Sequence, residues 1–178
     1  MILGPPDQID DATRAFCAGI APADPIYVPV RPVPEAKFIH CFDNSEGQAA
    51  RVGGEAVYGW AIWHWPGRWF EAEHHAVWRS PAGELVDVTP QTGEPARILF
   101  LPDPSAPYDL GRFRRNVMAP DAGNPHASEY IELVAARAGI TDRYWTPGTL
   151  VLPLFSAEDQ ARIAPIDARM AELRAAMT

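Results

Sequence analysis

The sequence predicts an α+β fold, and three observations carry that expectation. Apolar residues recur at helical spacing near the start of the chain and again in its last third. Aromatic and β-branched residues dominate positions 56–89, and 19 prolines with 13 glycines argue for short elements rather than a helical bundle. At 178 residues, 47% of them hydrophobic, the chain has enough apolar surface for one core. A single domain over residues 1–178 is therefore expected, with a helix and antiparallel sheet core at 38–101 and a helical C-terminal part at 126–178.

Each element has a local reason. Asp10 to Ile20 (DDATRAFCAGI) is helical behind an acidic cap, with Cys17 packed beside Phe16 and Ile20 as a small buried apolar residue. Ile26 to Val30 (IYVPV) is a short strand, and Pro29 places it at a sheet edge. Phe38 to Val52 runs from a strand end or turn into a helix, with Asp43, Asn44 and Ser45 as cap residues and Gly53-Gly54 as the stop. Ala56 to Trp65, Trp69 to Arg79 and Glu84 to Thr89 are strands. Pro66-Gly67 and Ser80 to Gly83 turn between them, which makes an antiparallel meander. Arg97 to Leu101 is a fourth strand, and Pro102 to Pro125 is irregular. Ser128 to Ala138 and Ser156 to Met177 are helices, the second opening on a Ser156-x-x-Asp159 cap and kinked at Pro165.

Charge narrows the function classes. A net charge of −8 with Lys37 as the one lysine leaves no basic footprint for nucleic acid. The longest apolar run, Val57 to Trp65, is interrupted by Gly59 and His64 and is far short of a membrane span. The opening MILGPPDQIDDATR has no basic n-region, so a cytoplasmic location is expected. Two cysteines, Cys17 and Cys41, are too few for a disulfide framework. No cofactor is called for.

Three residues stand out as chemistry. Cys41 lies just before the expected start of a helix, where backbone N–H groups and the helix dipole favour an anion, so its thiol is a candidate thiolate. His75 lies in the second strand of the meander and Asp87 in the third. A three-residue turn with a glycine bulge at Gly83 would oppose them directly on one face. A carboxylate in that position fixes the imidazole tautomer, and the imidazolium in turn activates the thiol. Register is the open variable, because a one-residue slip brings His74 to the Asp87 face instead. Period-two reading places Phe70, Ala72, His74, Ala76 and Trp78 on the core side. Glu71, Glu73, His75 and Val77 fall on the more polar side, which favours His75.

Cys41 with Asn44, the GGEAVYGWAIW strand, EAEHHAVW and LVDVTP together resemble the transglutaminase-like and papain-like superfamily over residues 38–90. Phe42 stands where typical members carry a Trp after the cysteine. The resemblance implies Cys41 as nucleophile, His75 as general base and acid, and Asp87 as the group that orients it. It further implies a thiol-dependent hydrolase or acyltransferase acting on an amide, ester or thioester carbonyl. The substrate would be a peptide, a protein or a small amide or ester, with no nucleic-acid or membrane partner.

Two rival readings stay open at this level. His40, Cys41, Glu73, His74 and His75 are zinc-type ligands, but no C-x-x-C or H-E-x-x-H spacing groups them, and adjacent strand histidines point to opposite faces. A non-catalytic binding module would use the tryptophans Trp60, Trp63, Trp65, Trp69 and Trp78 as a recognition groove. Core and rim packing of a twisted sheet accounts for them as well. His64 reads as a sheet histidine and His126 as a neighbour of a helix cap. Arg112, Arg114 and Arg115 form a small basic spot in a loop, where an anion-binding role would need partners that sequence does not reveal.

Overall fold

The computed structural model of the protein describes residues 3–122, 124–146 and 154–177. Met1 and Ile2 of the apolar start, and Gly123 of the stretch expected to be irregular, lie outside them. The class is α+β, with helices and a six-stranded sheet. The chain divides into two compact units, one of Met1–Trp65, Phe70–Tyr108 and Arg115–Val117, the other of Pro66–Trp69, Asp109–Arg114 and Met118–Thr178. No described helix is long and apolar enough to cross a membrane.

In the first unit, α1 (Asp11–Ala18) starts at Asp10, whose carboxylate accepts from the Thr13 N–H at 2.8 Å. That is the acidic cap expected from sequence. Its strands are β1 (Ile26–Pro29), β2 (Glu55–Trp65), β3 (Trp69–Arg79), β4 (Leu85–Val86) and β5 (Arg97–Pro102), and β6 (Val117–Pro120) falls mostly in the second unit. The order of the first five is β1-β5-β2-β3-β4. The β2–β3–β4 meander is present. The late strand β5 inserts between β1 and β2, pairing Phe100 with both Ile26 and Ala61.

Central strands covered on both faces read as continuous apolar runs, and RILFL in β5 is one. Leu99 and Leu101 join Trp60, Ile62, Ala72 and Cys17 in one cluster, against which Phe16 and Ile20 pack. Ile98 and Phe100 face the other way, into a cluster with Val28, Ala61 and Val77. Cys17 is 1% exposed, and burial pushes its thiol up to about 11, so it is an inert core thiol.

Helix α2 (Cys41–Val52) ends at Gly53 and is followed by Gly54, both at positive φ. Gly54 has φ 88°, and a Cβ there would lie 2.0 Å from the Arg79 carbonyl oxygen. Only glycine fits so close to β3 at that backbone angle. Gly54→Ala is expected to destabilise the fold by about 2–4 kcal/mol, from left-handed strain plus overpacking, read as a lowered Tm or urea midpoint.

The meander's second turn sets the register that matters for the site. Ser80 N–H bonds the Glu84 carbonyl at 2.8 Å, closing a loop of Pro81, Ala82 and Gly83, with Gly83 at φ 88°. Pairing then runs Arg79 to Leu85 and Trp78 to Val86. Continued by one residue, this register sets Asp87 against Val77, so the direct opposition of His75 and Asp87 expected from sequence does not occur. The two are diagonal neighbours on one face instead, which long side chains still bridge. The β3–β4 ladder is only two residues long because Asp87 leaves it. Its N–H bonds the Pro29 carbonyl at 2.9 Å, and its carbonyl accepts from the Arg31 N–H at 2.8 Å. This parallel bridge with Val30 joins the chain after β4 to the end of β1.

The second unit is mainly helical. Helix α3 (Pro125–Thr141) is capped by Asn124, which accepts from the His126 and Ala127 N–H groups. It starts earlier than the expected Ser128 because Pro125 occupies the first turn, where a missing N–H costs nothing. Helix α4 (Ala157–Ala176) begins at Ser156, whose hydroxyl accepts from the Asp159 N–H as the capping pattern anticipates, and it runs through Pro165 without ending. Asp159, fully buried, is paired with Arg143 and Arg162 and accepts from the Tyr144 hydroxyl. Arg169 forks onto Glu129 at 2.7 and 2.9 Å, and joins α4 to α3.

Candidate active site

Cys41 is the first residue of α2, not a residue ahead of it. The expected cap residues Asp43, Asn44 and Ser45 lie inside the helix, because each side chain is engaged elsewhere. Asn44 accepts from the Lys37 N–H at 3.0 Å and donates to the Lys37 carbonyl at 2.8 Å. It also donates to the Thr89 hydroxyl at 3.1 Å. Ser45, fully buried, donates to the Ala76 carbonyl of β3 at 3.1 Å and so holds the first turn beside His75. Asp43 takes the His40 ring Nδ1 at 3.1 Å.

His40 occupies the cap position, and no side chain caps this helix start. The approach to it is tight. Ile39 has φ 60°, a left-handed conformation that β-branched residues rarely adopt, and the two Asn44–Lys37 bonds hold the turn that contains it. The result is a buried thiol, 7% exposed, at the positive end of a 12-residue helix whose first N–H groups have no intrahelical acceptor.

His75 lies on β3, 3% exposed, with Nε2 at 3.2 Å from Asp87 Oδ2. The angle is off the line of a good hydrogen bond, so the contact is chiefly an ion-pair approach. The same imidazole lines one cavity with Cys41 and interacts with it electrostatically. With Nε2 directed at Asp87, Nδ1 is the ring nitrogen left for the sulfur. Burial alone would lower the His75 pKa. Electrostatic interaction with Cys41 and Asp87 outweighs it and holds the imidazolium well above its usual range.

Asp87 is fully buried and is satisfied by more than the imidazole. Oδ1 accepts from the Thr89 N–H at 3.0 Å, a tight Asx turn, and Oδ2 accepts from the Gln91 amide at 2.8 Å. Gln91 is a positioning residue that sequence reasoning missed. The signal was the D-V-T-P-Q run, in which an Asx turn and a proline bend residue 91 back over the carboxylate. Cys41, His75 and Asp87, the three candidates from sequence, thus stand together at one point.

The other candidates are placed differently. His74 faces away from Asp87. Its Nε2 is 2.8 Å from the Ala106 carbonyl, and its ring packs on Phe42 and Trp60. His64 stacks on Phe70 with ring centroids 3.9 Å apart. Among the described residues, no group of three or more His, Cys, Asp or Glu side chains is arranged to hold a metal ion. Trp60 and Trp69 are buried, whereas Trp63 is half-buried and lines a cavity.

That cavity has a volume of about 570 Å³, a size typical of small-molecule sites. Cys41, His75 and Gln91 line it, together with Trp63, Glu71 and Glu73. Chemically, the arrangement offers a sulfur nucleophile, an adjacent proton carrier held by a carboxylate, and a helix N-terminus able to meet developing negative charge. Comparison with protein-family models, curated proteins and solved structures finds no match.

Proposed function

We propose that this protein is a cysteine-dependent hydrolase or acyltransferase of the transglutaminase-like kind, working through Cys41, His75 and Asp87. The observation that carries the reading is the buried contact chain: thiol to imidazole, and imidazole to carboxylate at 3.2 Å, beside an open cavity. A structural histidine has no need of a buried carboxylate on one side and a thiol at an uncapped helix start on the other.

In the proposed cycle the Cys41 thiolate attacks the carbonyl carbon of an amide, ester or thioester. The new S–C bond forms as the carbonyl electrons move to oxygen, where the first-turn N–H of Cys41 offers one donor. His75 gives its proton to the leaving amine, alcohol or thiol as that bond breaks. Water or an amine then adds to the thioester while His75 takes back a proton. Collapse expels the Cys41 thiolate and releases acid or transferred acyl group. Asp87 holds Nε2 throughout, and Gln91 and Thr89 hold Asp87.

The test is acylation by an activated ester such as p-nitrophenyl acetate, followed by intact-mass and peptide-mass spectrometry. Wild type is expected to acquire one acyl group on Cys41 and to lose it on the turnover timescale. Cys41→Ala is expected to acquire none there, and Cys17 to stay unmodified. Release of nitrophenol at the same rate by Cys41→Ala would sink the reading.

A further inference from the structure

Glu71, Glu73 and His75 are alternate residues on one face of β3, and all three line the cavity that holds Cys41. Successive same-face residues are about 7 Å apart along a strand, so the two carboxylates begin one and two pleats from the imidazole. Their hydrogen-bond donors are neutral. Glu73 Oε2 accepts from the Trp63 indole at 3.1 Å, and Glu71 Oε1 accepts from the Asn116 amide at 2.7 Å. These contacts orient the carboxylates without neutralising them, and among the described residues no lysine or arginine lines the cavity. Thr89, Gln91 and Thr92 add neutral polar groups, and apolar surface comes from Trp63, which donates to Glu73, and from Phe38 and Ile39, 50% and 66% exposed.

Two carboxylates oriented by neutral donors beside an indole ring suit an organic cation. We infer that the acyl donor of this cavity carries a primary ammonium or guanidinium next to an apolar group, with the cation held by Glu71 and Glu73, one and two pleats along β3 from His75. The inference rests on Cys41 being the nucleophile, and it adds the substrate class. An anionic acyl donor is disfavoured by the same two charges, whatever its apolar part.

Matched benzyl chloroacetamides that carry an aminomethyl, a methyl or a carboxylate group on the ring separate the two claims. Each probe forms a bond from Cys41 sulfur to the methylene carbon and expels chloride, so one mass-spectrometric rate reports all three. In wild type the aminomethyl probe is expected to react at least about tenfold faster than the carboxylate probe, with the methyl probe between them, and added salt should shrink the spread. In Glu71→Gln/Glu73→Gln the aminomethyl-to-methyl ratio is expected to fall to about one. Equal rates for the three probes on a reactive wild-type Cys41 would overturn the cationic substrate and leave the nucleophile standing. A Cys41 that reacts with none of them overturns both.

Discussion

His75→Ala is expected to slow acylation of Cys41 by about 10²–10⁴, and His74→Ala to leave it within a small factor, although the two residues are neighbours in one strand. General acid–base assistance is typically of that size, and His75 is the proposed proton carrier for Cys41. His74 is turned the other way, its Nε2 at 2.8 Å from the Ala106 carbonyl. Loss of that bond costs stability, about 1–2 kcal/mol, without touching the sulfur. His75→Ala costs stability too, because it strips a fully buried Asp87 of its cationic partner. The measurement is therefore made well below each variant's Tm, with near-UV circular dichroism as the check on folding. The two variants discriminate sharply: similar slowing in both would mean that the rate follows the stability of β3, not proton transfer at His75.

The comparison of sequence with structure explains why the histidine could be chosen and its geometry could not. Period-two alternation in WFEAEHHAVWR separates His74 from His75, and the polar neighbours Glu71 and Glu73 mark the cavity side. Face assignment survives an error of two residues in register, since parity is unchanged. Direct opposition does not. Asp87 is placed by the chain beyond β1, through the Pro29 carbonyl and the Arg31 N–H, and no local pattern encodes that pairing.

The same limit hid the position of β5 between β1 and β2, and it hid β6. Val117–Pro120 has only four residues in a proline-rich stretch, too few for propensity to mark it as a strand. Cap residues misled for a related reason. Asp43, Asn44 and Ser45 are good N-caps in isolation, but contacts with His40, Lys37, Thr89 and Ala76 claim their side chains. The helix consequently starts at least three residues earlier, with His40 rather than Asp43 at the cap, and that shift puts Cys41 itself on the first turn.

Asp87→Asn is expected to be nearly as damaging to acyl transfer as loss of the histidine, on the order of 10²–10⁴, while the fold persists. The reason is tautomeric. The asparagine carbonyl can keep the Thr89 N–H in the Oδ1 position, which leaves an NH₂ in the Oδ2 position. Gln91 meets it by turning its own amide so that its oxygen accepts, and the buried network stays satisfied. The same NH₂ then donates to His75 Nε2. The imidazole proton is thereby confined to Nδ1, which faces the thiol and can no longer accept from it.

The pH behaviour follows from the charge that is removed. Asp87 is one of the two groups that hold the His75 imidazolium well above 6.5. A folded-state pKa raised above the unfolded value of about 6.5 adds stability that is fully present below 6.5 and is lost as pH rises through the raised value. Wild type is therefore expected to lose this stabilisation on the alkaline side. Its Tm advantage over Asp87→Asn should narrow as pH increases, and the basic limb of the acyl-transfer profile should move to lower pH in the variant. A Tm gap that widened with pH would show that the imidazole is neutral in the native protein, and His75 would then be read as a neutral hydrogen-bond bridge between Cys41 and Asp87.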